Sequence, residues 1–160
     1  MKSPKNILVP IDMSVLSITG LQYAEDIAEH FGSTITVLYV AGPDELSEQE
    51  HGPAKEAEAK IKQAIAHLLL DHNVVTTSLK IEIRRGSPAQ EIVKASRELH
   101  SDLIVMCTHG RSGLSHMLMG SVAEKVVRTA LCPVLTIKPD EFSELVNVTD
   151  EDITNGLHLE

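Results

Sequence analysis

The sequence predicts an α/β domain, a five-stranded parallel sheet of order 3-2-1-4-5 with helices on both faces. Three observations predict it. Five short β-rich runs alternate with four segments of helical period between residues 6 and 137. Residues 6–10 and 103–107 are apolar without alternation, as in strands buried on both sides, whereas 78–84 alternate apolar with charged residues and read as a sheet edge. Finally, the 103–107 run passes through a glycine-containing loop to a helix start at Gly120-Ser121. In an open parallel sheet that arrangement sits where ligands bind, beyond the carboxyl ends of the central strands.

Asn6 to Pro10 is the first strand, expected to stop at Pro10, which cannot donate to a ladder. Asp12 follows at once and so falls in the expected cleft, with a second reading as a turn residue or N-cap for the next helix. From Ser17 to Phe31, Leu21, Ala24, Ile27, Ala28 and Phe31 recur at helical spacing, and Gly32 ends the helix. Thr34 to Val40 is β-branched and forms the second strand. The acidic Ala41–Gly52 stretch reads as a loop. A long helix runs from Pro53 to about Asp71, with Ala57, Ile61, Ala64, Ile65 and Leu68 as its inward stripe.

The edge strand 78–84 is followed by Gly86-Ser87-Pro88-Ala89-Gln90, a turn, a Ser cap, a Pro at the first helical position and a Gln suited to a capping box. That helix reaches about Leu99, with Ile92, Val93 and Leu99 inward. After the 103–107 strand and its loop, Ser121-x-x-Glu124 reads as a second capping box. The last helix then presents Val122, Val126, Val127 and Ala130, and Val134 to Ile137 is the fifth strand. The domain is expected to span 1–139. Residues 140–160, with no clear period, read as a flexible tail.

Charge and composition exclude some partners. Of the formal net charge of −9, the tail alone carries seven acidic residues and no Lys or Arg, so the body is near neutral and lacks the field that attracts nucleic acid. With four Phe and Tyr in total and no Trp, stacking platforms for single strands are not expected. Cys107 and Cys132 supply neither a disulfide framework nor a metal-ligand spacing, and no apolar run approaches a membrane span. The expectation is a reduced, cytoplasmic protein without a membrane partner.

The chemistry concentrates at the loop after the fourth strand. A helix start offers unpaired N–H groups and the positive end of a dipole, and glycine lets a phosphate approach the backbone, so an anion is the expected guest. The loop is neither a Walker A sequence nor GxGxxG. His109 and Arg111 lie in it without an orienting partner that would make either catalytic. A loop of this kind is also compatible with a purely structural strand-to-helix connection.

Gly110, nine residues and then Gly120-Ser121 resembles the nucleotide loop of the universal stress protein family in its ATP-binding branch. So do the flanking Leu103-Ile104-Val105-Met106, Met119-Gly120-Ser121-Val122-Ala123-Glu124 and Cys132-Pro133-Val134-Leu135, and Val9-Pro10-Ile11-Asp12-Met13-Ser14 near the start. One position departs from the pattern: Cys107 stands where the family has the first loop glycine, and its Cβ and sulfur would crowd the sugar-phosphate or require a small backbone shift. Cys107 itself reads as a buried inert thiol in preference to a redox sensor.

The resemblance implies a Rossmann-like, adenine nucleotide alpha hydrolase-like fold that binds ATP, with Mg²⁺ or Mn²⁺ carried by the nucleotide. By the same resemblance Pro10 and Ile11 line the adenine pocket and Val40 touches the ring. Asp12 meets the ribose or the metal-phosphate region, Gly110, Gly120, Ser121 and Val122 supply backbone N–H groups to the phosphates, Arg111 lies over them or faces solvent, and Met106, Cys107 and His109 complete the nucleotide site. A homodimer through the last strand, Val134 to Ile137, is implied too, and an uncovered apolar edge strand agrees with it. The function expected is a nucleotide-binding signalling or stress-response module. A slow ATPase and a dimeric adaptor without ligand are the alternatives.

Overall fold

The computed structural model describes residues 3–42, 54–72, 74, 79–108 and 119–138. Their elements in chain order are β1 (Asn6–Ile11), α1 (Val15–Phe31), β2 (Thr34–Ala41), α2 (Ala54–Asp71), β3 (Leu79–Arg85), α3 (Pro88–Glu98), β4 (Leu103–Cys107), α4 (Ser121–Thr129) and β5 (Val134–Ile137). The five strands form one sheet of order β3-β2-β1-β4-β5, parallel throughout, with the alternating β3 at one edge as its sequence requires. Of the loop expected over 41–52, Ala41 instead belongs to β2, and residues 43–52 lie outside the described residues, as does the expected tail.

Strand parity divides the core into two layers. Ile7, Val9 and Ile11 of β1, Ile35, Val37 and Tyr39 of β2, and Val105 and Cys107 of β4 face one cluster, which α1 and α2 cover. Leu8, Leu38, Ile104 and Met106 face the other, closed by Ala89, Ile92 and Ala95 of α3 and by Ala123 and Val126 of α4. Both faces are therefore buried, which is why the central strands are apolar at consecutive positions.

Several local expectations are corrected. Pro10 does not end β1: the strand continues to Ile11, and Pro10 is in register with Leu38. The carbonyl of Lys5 accepts from Thr34 of β2's side and that of Asn6 from Asp102 of β4's side, so alternation turns residues 8 and 10 toward β4. Pro10's missing N–H thus faces β4, where pairing stops at Leu8↔Ile104. Pro10 therefore costs no ladder bond, and the cleft lies beyond the point where β1 and β4 part.

Helix α1 begins at Val15, with Ser14 as its N-cap, and ends at Gly32 in the left-handed conformation (φ 64°), as expected of a glycine C-cap. In α2, Leu69 is buried and Ala64 is exposed, so the inward stripe turns slightly from the expected one. Neither expected capping box forms. Ser87 caps α3 without a side-chain bond, and α4 is capped by Gly120, which leaves Ser121 as the first helical residue. Glu124, which would have closed the second box, instead accepts from Arg128 Nε at 3.1 Å one turn on. Ala123 and Val126 are the buried residues of α4, while Val127 is 45% exposed, against expectation.

Candidate functional site

A cavity of about 370 Å³ lies at the carboxyl ends of β1 and β4, where the strand order reverses. It falls within the usual size of a small-molecule site. Of the expected site residues, Pro10, Ile11, Asp12, Val40, Met106, Cys107, Gly120, Ser121 and Val122 all line it. His109, Gly110 and Arg111 lie outside the described residues.

Four segments meet there. The end of β1 contributes Pro10, Ile11 and Asp12, and β2 contributes Leu38, Tyr39 and Val40. The β4 end supplies Met106, Cys107 and Thr108, and the start of α4 supplies Gly120 to Ala123. Pro88 and Ile92 of α3 and Ser17 of α1 complete the wall. Sequence reasoning missed Leu38, Tyr39, Pro88, Ile92, Thr108, Ala123 and Ser17. Leu38 shares Val40's parity and could have been found that way. Pro88 and Ile92 carried no signal, because only the packing of α3 on the sheet brings them to the cleft.

The base of the loop is tied down by hydrogen bonds from one buried residue. Thr108 N–H donates to Ile137 O of β5 at 2.9 Å, and Thr108 O accepts from Gly120 N–H at 2.6 Å. The Gly120 amide is therefore engaged within the protein. The carbonyl of Gly120 accepts from Glu124 N–H at 3.0 Å, closing the first turn of α4. Ser121, Val122 and Ala123 occupy the next three positions, whose amides have no acceptor within the helix. They carry the positive end of the dipole into the cavity wall.

Asp12 stands at the same cavity from the β1 side. Its Oδ1 accepts from Ser14 N–H at 3.1 Å and from the Ser14 hydroxyl, so it makes a turn, and the cap of α1 is Ser14 itself. Met13 between them adopts φ 64°, a left-handed conformation that few non-glycine residues take. Val40 lines the cavity and also packs on the α3/α4 cluster.

Cys107 is buried, and its sulfur turns to α1, where the thiol donates to the Leu16 carbonyl. Gly20 of α1 packs against the same residue, where a Cβ would make ordinary van der Waals contact, 3.4 Å from Cys107 N and 3.5 Å from its Sγ. Burial, with a smaller contribution from the Asp12 charge, pushes the thiol up to about 11. It is therefore protonated at neutral pH, the state of an inert thiol. The thiol of Cys132 is also raised, again mainly by burial.

Among the described residues no helix is long and apolar enough to cross a membrane. The model of the universal stress protein family matches residues 4–138. A universal stress protein of Methanocaldococcus jannaschii is 34% identical over 146 residues, covering 84% of this chain and 82% of its own length. The solved universal stress protein UspA from Lactobacillus plantarum superposes with a TM-score of 0.69 at 28% identity, over 86% of this chain and 99% of the other. A universal stress protein solved in complex with cAMP shares the fold, with a TM-score of 0.66 at 20% identity over 86% and 98%. By sequence and by fold, the chain belongs to the universal stress protein family.

Proposed function

We propose that this protein binds an adenine nucleotide, ATP with its Mg²⁺ or Mn²⁺, and works as a dimeric signalling or stress-response module in the cytoplasm. One observation carries the reading: a single cavity joins an apolar wall to a polar one. Pro10, Leu38, Val40, Ile92 and Met106 suit a flat heterocycle, while the first-turn amides of Ser121, Val122 and Ala123 suit phosphate oxygens. Asp12 lies within reach of a ribose hydroxyl or of the cation that phosphates carry. Gly110 and Arg111 would add to the phosphate end from the loop between Thr108 and Gly120, as would His109. The cAMP complex of a structural relative supports an adenine ligand of this general kind.

Cys107 need not oppose this reading, because its sulfur is engaged with α1. The outer edge of β5, with Leu135 37% exposed beside it, supports a homodimer through that strand. No residue is assigned to catalysis.

The test begins by denaturing purified protein and identifying any nucleotide released. Thermal melts with ATP and Mg²⁺, ADP or cAMP then follow for wild type and Gly120→Glu, which sets a carboxylate beside the first-turn amides. Nucleotide should raise the melting temperature of the wild type only. The absence of a shift with every nucleotide would refute the reading in favour of the adaptor, a larger shift with cAMP than with ATP would reassign the ligand, and steady ADP release would make the protein an enzyme.

A further inference from the structure

Ser14 stands between the cavity and a helix and is bonded to both. Its hydroxyl donates to Asp12 Oδ1, and its backbone N–H donates to the same oxygen at 3.1 Å. The same hydroxyl oxygen accepts the Ser17 N–H at 3.2 Å, which caps the 17-residue α1. Ser17 returns the contact, its own hydroxyl donating to Ser14 O at 2.7 Å. The left-handed Met13 makes the reversal that lets residue 14 reach back to residue 12, and its side chain is held against the α1/α2 core.

The consequence concerns rotation. A carboxylate at a strand end has two free dihedrals, and fixing them when a ligand arrives costs affinity. Here two donors on one residue grip one carboxylate oxygen, and that residue is tied to the start of α1, whose inner face is buried in the core. We propose that Ser14 is a positioning residue for the ligand site, holding the Asp12 carboxylate in one orientation before the nucleotide binds. The inference rests on the nucleotide reading and adds to it the group that preorganises Asp12.

Calorimetric titration with MgATP of the full chain tests it, using wild type, Ser14→Ala, Ser14→Thr, Ser14→Gly, Asp12→Ala and the Ser14→Ala/Asp12→Ala double variant. Ser14→Ala should weaken binding roughly tenfold, the scale of one charge-assisted hydrogen bond. Ser14→Thr, which keeps both donor and acceptor, should restore affinity. Ser14→Gly lacks the hydroxyl donor, yet glycine is a good N-cap, so its melting temperature should stay near wild type while its affinity falls as far as that of Ser14→Ala. In the Asp12→Ala background, Ser14→Ala should cost no further affinity. Equal losses with and without the Asp12 carboxylate, or wild-type affinity in Ser14→Gly, would overturn the positioning role while leaving nucleotide binding intact. A wild type that binds no nucleotide would sink the functional reading, and this inference with it.

Discussion

Cys107 offers a sharp test of the site's interior, because its burial predicts both its chemistry and a pH dependence. Folding raises the thiol from the ordinary value of 9.0 to about 11, through loss of water first and the Asp12 charge second. The unfolded chain therefore releases this proton at lower pH than the folded one. Stability from this group is complete below about pH 9 and is lost as pH rises toward about 11. At 1.36 kcal/mol per pH unit the loss is at most ~2.7 kcal/mol. Since the sulfur borders an open cavity, about 1–2 kcal/mol is the expected size after screening.

The assay is urea unfolding of wild type and Cys107→Ala at pH 8, 9, 10 and 11. Cys107→Ala should be less stable at pH 8, by about 1 kcal/mol for the lost sulfur, yet the two curves should converge or cross by pH 11. The comparison removes the shared titration of lysines and tyrosines. Alkylation of Cys107 by iodoacetamide at pH 7 should be slower than that of the less buried Cys132. Parallel pH profiles in the two proteins, with rapid alkylation of Cys107, would refute the buried-thiol account and revive the redox-sensing alternative.

Two further substitutions probe the frame around the site. Leu135→Glu places a charge at the outer edge of β5 and should convert a dimer to monomers by light scattering, whereas an unchanged dimer mass would remove β5 as the interface. Leu8→Ala, at a fully buried position in the middle strand, should cost about 3 kcal/mol in urea unfolding, and a loss under about 1 kcal/mol would contradict the packing of the α3/α4 layer.

What the sequence determined by itself was the kind and order of the elements, which follow from local period and composition. The apolar run Leu103–Cys107, the glycine stop at Gly32 and the alternation of Leu79 to Arg84 set which segments are strands or helices and which strand is an edge. From these the sheet order followed, and with it the location of a site around Asp12 and Gly120. The tertiary structure decided how those residues spend their hydrogen bonds and which way they face. Gly120 gives its amide to Thr108, Glu124 turns to Arg128, and Ser14 rather than Asp12 caps α1. Pro10 stays within its strand because its missing N–H faces a neighbour that has already diverged. Pro88 and Ile92 reach the cavity only because α3 lies across the sheet. The physical reason is common to these cases: a residue's propensity is read along the chain, but a donor is satisfied, and a wall completed, by whatever the fold brings within about 3 Å.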